Sequence, residues 1–254
     1  APETAPEPVP TAPPEETPAE ESPAEAKRSE AALDRAGREA LQTALQWFGF
    51  YDGKIDGAFG PGTRKSMAAW QEANGFEPTG ILTTSQRAAL LGAQQQQQAE
   101  LGLQTVTEAE AGIEITLPLA LVGFDHYEPP FVHFPQKDGS GVNVILISQP
   151  GDQGTLYALY DTLQTLAILP LEGDRSRAER SFTITGRNGA VESHAYAELS
   201  KGLVKGYILS YPPSEAEKMG RVLAAMRSSF TPLGDRALDP GLVPMTAETR
   251  AGLL

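Results

Sequence analysis

The chain has 254 residues, a formal net charge of −13 at pH 7 and no cysteine. The missing cysteine excludes a Cys nucleophile, an Fe–S cluster, a thiolate zinc site and any disulfide framework. No block is strongly basic, which argues against nucleic acid as a partner, and no apolar run approaches the ~20 residues a membrane span requires.

Residues 1–26 contain eight Pro, seven Glu and six Ala, with no Lys, Arg or aromatic residue. Val9 is the only large aliphatic side chain there. Such a segment cannot bury enough surface to offset its ordering entropy. We read residues 1–29 as a disordered, extended linker that holds a folded module away from an anchor or a wall. The first residue is Ala rather than Met, as expected either of an exported protein whose signal peptide has been removed or of a trimmed chain.

A compact module is expected at 30–92. Leu41, Ala44, Leu45 and Phe48 recur at i, i+3, i+4 and i+7, one face of a helix that Gly49 ends. A glycine-rich loop follows from Tyr51 to Gly62. A second helix is predicted from about Thr63 to Asn74 and a third from about Thr84 to Leu91, stopped by Gly92. Seven of the chain's eighteen aromatic residues lie between Trp47 and Phe76. A domain this small needs large side chains in its core, so Trp47, Phe48, Phe59 and Trp70 are assigned to it. Tyr51, set among glycines, is expected to be exposed. Gly53, Gly57 and Gly60 are read as positions of positive φ, Asp52 and Asp56 as Asx-turn acceptors, and Thr63 as the cap of the second helix. A calcium loop needs six or more oxygens, and this segment has too few carboxylates.

Leu41-Gln42-x-x-Leu45, Gly49-Phe50-Tyr51-Asp52-Gly53, Ile55-Asp56-Gly57-x-Phe59-Gly60-x-x-Thr63, Ala68-x-Trp70-Gln71 and Asn74-Gly75 form one continuous signature. It resembles the small three-helix peptidoglycan-binding domain of bacterial cell-wall proteins, the first family of that type. The Trp70 position is usually Phe in that family. The resemblance implies a shallow groove beside the loop and second helix that takes part of the glycan or its peptide stem. Tyr51, Asp52, Asp56, Arg64, Lys65, Trp70 and Gln71 are the ligand-contact candidates it implies. Tyr51 would stack on a sugar ring, and Arg64 or Lys65 would pair with a stem carboxylate.

The glutamine run Gln94–Gln98 marks residues 93–110 as a linker. A second domain is expected at 111–232. Its predicted strands include Gly112–Pro118, Val142–Ser148, Ser181–Thr185, Val191–Leu199 and Leu203–Tyr211. A helix after Pro150-Gly151-Asp152 carries Leu156, Leu159, Tyr160, Leu163 and Leu166, and another follows Pro212-Pro213-Ser214 to about Phe230. Gly186-Arg187-Asn188-Gly189 is read as a hairpin turn. The expected fold is therefore multidomain: a small all-α three-helix module, then an α+β domain with an antiparallel sheet covered by helices. No internal repeat is apparent. Residues 233–254 are read as a further linker, compatible with a chain cut before another domain.

Catalytic chemistry is hard to find. His126, His133 and His194 are the only histidines. A metal site would add His194, Glu198 or Asp125 to the first two. No H-E-x-x-H is present, and the three are read as unrelated polar residues. Ser140, flanked by Gly139 and Gly141, lacks the nucleophile elbow and resembles a hairpin turn. No catalytic residue, metal ligand or cofactor is assigned.

A second resemblance covers about 112–232. The Gly112-to-Pro118 opening, Ser181-Phe182-Thr183-Ile184, Gly202-x-x-Lys205-Gly206-Tyr207-x-Leu209-x-Tyr211-Pro212 and Met226-x-x-Ser229-Phe230 look like the PsbP-like α/β/α sandwich. It implies a non-catalytic accessory or binding module. The whole is similar to the non-catalytic front part of alphaproteobacterial envelope proteins, some of which continue into a trypsin-like protease. Together these imply a periplasmic, non-enzymatic protein. Peptidoglycan is its expected partner, and a second envelope protein is expected to meet residues 111–232. The alternatives are the front of a serine protease or a structural partner of an envelope complex.

Overall fold

The computed structural model describes residues 21–137, 139–234 and 236–239. Most of the N-terminal linker and of the C-terminal one, together with Asp138 of the turn around Ser140, lie outside them. The chain divides into two compact units, Ala1–Gln95 and Gln96–Leu254.

The first unit is helical. Helix α1, Pro23–Ala31, begins inside the segment expected to be disordered and ends two residues past it. Ser22 and Glu25 form a capping box around it, and Pro23 takes the first position. Local capping thus overrides a composition that reads as linker. Glu21 caps a neighbouring helix, accepting from the Thr84 amide at 2.5 Å, and Ser29 bonds to Glu21 and Arg87. Helix α2, Arg35–Trp47, is capped by Asp34, whose carboxylate accepts from the Gly37 amide at 2.7 Å. Helix α3 is Pro61–Ala73 and helix α4 is Thr84–Leu101. The core is Leu41, Ala44, Leu45, Met67, Trp70, Leu82 and Leu90, with Phe48 and Phe59 partly buried against it.

Three expectations are corrected here. Helix α3 starts two residues early, at Pro61 after Gly60, and Thr63, in its first turn, is a buried helix residue instead of its cap. Gly92 does not stop α4, so the glutamine run is helical. A single glycine costs ~1 kcal/mol in a helix, which the flanking Ala and Gln residues outweigh. Finally, Gly57 has φ +72°, whereas Gly53 and Gly60 lie outside the left-handed region.

The second unit is built on two antiparallel sheets among the described residues. Strands β1 (Leu103–Glu108), β2 (Ile113–Pro118) and β10 (Thr231–Pro232) form the smaller one, with β2 central. The larger has seven strands in the order β3-β4-β5-β9-β8-β7-β6. These are β3 His126–Glu128, β4 Phe131–Phe134, β5 Asn143–Pro150, β6 Arg175–Arg177, β7 Ser181–Arg187, β8 Glu192–Ser200 and β9 Leu203–Tyr211. Every residue of β9 is buried, so both faces of the sheet are covered. Helix α5, Gln153–Leu163, lays Leu156, Leu159 and Leu163 on one face, against Phe182, Ile184, Val204 and Ile208. Across the other face runs helix α6, Ala216–Ser229, after which Phe230 meets the rings of Tyr196 and Tyr207. The turn between β7 and β8 is Asn188–Val191, where Asn188 Oδ1 accepts from the amides of Ala190 and Val191 at 2.8 Å. Gly186, expected in that turn, is a strand residue packed on Pro170.

Gly206 shows how close the β8–β9 pairing is. A Cβ there would lie 2.7 Å from the Ala197 Cβ and nearer still to the Tyr196 carbonyl oxygen. We expect Gly206→Ala to destabilise this unit by about 1–3 kcal/mol, the cost of overpacking a dense interior. A thermal melt followed by far-UV circular dichroism measures it; an unchanged midpoint would contradict the close approach.

Candidate functional site

The glycine-rich loop after α2 is held by one buried side chain. Gln42 is fully buried. Its Oε1 accepts from the amides of Asp56 (3.0 Å) and Gly57 (2.8 Å). Its Nε2 donates to the Ala58 carbonyl at 3.0 Å and the Asp56 carboxylate at 3.2 Å. A buried amide so satisfied fixes a loop that has no regular structure of its own. Gln71 does the same one helix later. Its Oε1 accepts from the Gly80 amide at 2.9 Å, and its Nε2 donates to the Ile81 carbonyl at 3.1 Å and to Gln86 at 2.9 Å.

The two halves of the unit are thus related. Each helix exits through a glycine in the left-handed region, Gly49 and Gly75, followed by Phe50 and Phe76. Each glutamine then pins a second such glycine, Gly57 or Gly80, both at φ +72°. The sequence hides this repeat because the glutamine-to-glycine separations are 15 and 9 residues.

The residues nominated from sequence therefore separate. Trp70 is 5% exposed and Gln71 1%, so both serve the core and the loop. Tyr51 is half-buried, against the expectation of exposure. Its hydroxyl donates to the Lys54 carbonyl at 2.7 Å, and its ring covers Gly53, where a Cβ would fall 2.6 Å from the hydroxyl. Asp56 makes the expected Asx turn, accepting from the Ala58 amide at 2.9 Å. That bond and the Gln42 amide hold its carboxyl below the usual aspartate range. Arg64 does not face outward for a ligand. It forms a two-pronged pair with Glu30 of α1, with both N–O distances 2.6 Å, and its guanidinium also lies over the Phe59 ring. Asp52 and Lys65 are exposed.

Sequence reasoning missed a concavity of this unit. A groove of about 370 Å³ runs between the start of α1 (Glu21, Ser22, Pro23, Ala26) and the Gly75–Gln86 segment. Phe76 lines it, 37% exposed and stacked on Trp70 with ring centroids 5.8 Å apart.

In the second unit, the reading of three unrelated histidines does not hold. Residues 126–128 and 131–133 pair as strands β3 and β4, which places His126 directly opposite His133. The rings stack with centroids 4.4 Å apart and planes 8° from parallel. Glu128 Oε2 lies 3.3 Å from His133 Nε2 and 3.9 Å from His126 Nε2. On the far side, Asp125 Oδ2 sits 2.6 Å from His126 Nδ1. Burial first, and then the adjacent His126, lowers the His133 pKa. The symmetric placement of the two histidines about Pro129-Pro130 was the signal that could have found this pairing. His194 lies apart on β8, with its pKa lowered by burial and by Arg227.

Lys205 and Ser148 form another close pair, with Nζ 2.8 Å from Oγ. Burial lowers the lysine to about 8. Both residues are fully buried, and Nζ also donates to the carbonyls of Ala111 and Arg236. A substrate cannot reach them, so the pair ties the segments around Ala111 and Arg236 to the sheet. Ser140 donates weakly to the Leu121 carbonyl at 3.4 Å and accepts from the Val142 amide at 3.2 Å, the bonds of a turn residue.

Residues 34–90 match the family described as "Putative peptidoglycan binding domain". The match coincides with the three-helix module and contains both glutamine-pinned loops. No curated protein matches the chain. Among solved structures, cyanobacterial PsbP (CyanoP) from Synechocystis sp. PCC 6803 is 16% identical, over 51% of this chain and 91% of that one, with a TM-score of 0.37. A protein from Bacteroides thetaiotaomicron is 8% identical, over 52% of this chain and 48% of that one, with a TM-score of 0.35. No helix among the described residues is long and apolar enough to cross a membrane.

Proposed function

We propose that the chain is a non-catalytic cell-wall-binding protein that holds peptidoglycan through its first unit. The observation that carries this reading is the family match over residues 34–90, on a module whose loops are fixed from within. In this reading the groove beside Phe76 receives the glycan. Phe76 offers one ring face as a platform while Trp70 supports the other. Among the nominated residues Asp52, Asp56 and Lys65 are exposed and Tyr51 keeps part of its surface for further contacts. Trp70, Gln71 and Asp56 act indirectly, by fixing the surface. Single-site affinity is weak, and the repetitive wall supplies retention by avidity. The protein then works in the periplasm, and its second unit serves contact with another envelope protein.

Co-sedimentation with purified sacculi tests this. The full chain is expected in the pellet, and Phe76→Ala should weaken retention roughly 2- to 10-fold, the worth of one aromatic contact. Protein remaining in the supernatant at all sacculus concentrations would overturn the reading.

A further inference from the structure

We propose that His126, Glu128 and His133 form a zinc site on the edge of the seven-stranded sheet, independent of the wall-binding module. One donor atom from each lies within 4.8 Å of the other two. Tetrahedral zinc with bonds of about 2.0–2.1 Å sets its ligand atoms roughly 3.3–3.4 Å apart. The Glu128–His133 separation is already 3.3 Å and the Glu128–His126 separation 3.9 Å, but the two rings stack 8° from parallel, so closure requires them to turn until both Nε2 lone pairs meet one ion. All three residues sit on one short hairpin, so the closure is local.

The protonation pattern suits a cation. Asp125 faces His126 Nδ1 at 2.6 Å, which places the proton on that nitrogen and leaves the Nε2 lone pair toward Glu128. His133 Nε2 is shielded from water and makes no hydrogen bond among the described residues. Glu128 Oε2 lies 3.3 Å away and is bridged to it only when Nε2 carries a proton. A shielded, unsatisfied imidazole nitrogen is costly unless something binds it, and a metal ion would. Two carboxylates, Asp125 and Glu128, supply the charge a divalent ion requires. Imidazole with carboxylate suits zinc better than magnesium or calcium.

The site also has an open side. Glu128 and His133 line a cavity of about 420 Å³ walled by Phe131, Ile145, Leu166 and Ile168. Three protein ligands leave a fourth position, and water or a ligand with an apolar body would take it from this cavity.

The test is titration of the full, chelator-treated chain with zinc chloride by calorimetry, with cobalt(II) absorption reporting coordination. One ion per chain is expected, with the ligand-field bands of nitrogen and oxygen donors. His133→Ala and Glu128→Gln should abolish binding, Asp125→Asn should weaken it about 10-fold, and His194→Ala should leave it intact. Circular dichroism of each variant separates ligand loss from misfolding. Absence of zinc uptake by the unsubstituted chain would overturn the proposal, as would uptake unchanged in a folded His126→Ala/His133→Ala variant. Neither result depends on sacculus binding.

Discussion

Trp70→Ala is expected to unfold the first unit rather than to leave a folded module that binds less. Trp70 packs among Leu41, Leu45, Met67, Leu82 and Leu90, and it supports Phe76. Truncating a buried Trp costs ~3–5 kcal/mol. A unit of this size holds only a few kcal/mol in total, at ~0.05–0.15 kcal/mol per residue. Both tryptophans, Trp47 and Trp70, lie in this unit, so tryptophan fluorescence reports on it alone. In the variant, Trp47 emission should move toward that of the denatured chain at room temperature. The circular dichroism of the second unit's sheets should persist. A folded variant whose midpoint lies within ~2 °C of the parent would contradict the core assignment. The same reasoning makes Trp70→Ala a poor probe of ligand contact and Phe76→Ala the better one.

Gln42→Ala ranks next. Removing the side chain takes the acceptor from the buried Gly57 amide and the half-buried Asp56 amide. An unsatisfied buried amide costs ~1–3 kcal/mol, so the two together cost about 2–6 kcal/mol at most. The effect should begin in the loop. Hydrogen exchange at Asp56 and Gly57 is expected to accelerate far more than exchange at Leu45 in the core. Exchange left unchanged at those two amides would show that the loop holds itself.

These two positions also show what a sequence can reveal. The apolar spacing from Leu41 to Phe48 carries α2 directly, because a 3.6-residue period is a local property. The strands from Ser181 to Tyr211 were legible for the same reason: alternation and short turns are local signals. Burial of Gln42 was not legible. A polar residue on a helix reads as surface until the loop that folds back over it is known. Helix α1 did carry a local signal in Ser22-Pro23-Ala24-Glu25, but it was masked by the proline- and glutamate-rich composition around it. The histidine pair was missed because seven residues part its members on either side of Pro129-Pro130. That dipeptide is a two-residue turn, and the register it imposes brings i and i+7 together. Arg64 illustrates the remaining limit: a cation free for a ligand in one dimension meets Glu30 in three.

The central claim is that residues 34–90 hold peptidoglycan at the groove beside Phe76. The most direct measurement is an amide NMR titration of the full chain with soluble muropeptides. Saturable shifts should cluster at Gly75, Phe76, Thr79, Ile81 and Gln86, leaving the second unit unmoved. A spectrum unchanged at saturating muropeptide, or shifts confined to residues 96–239, would contradict it.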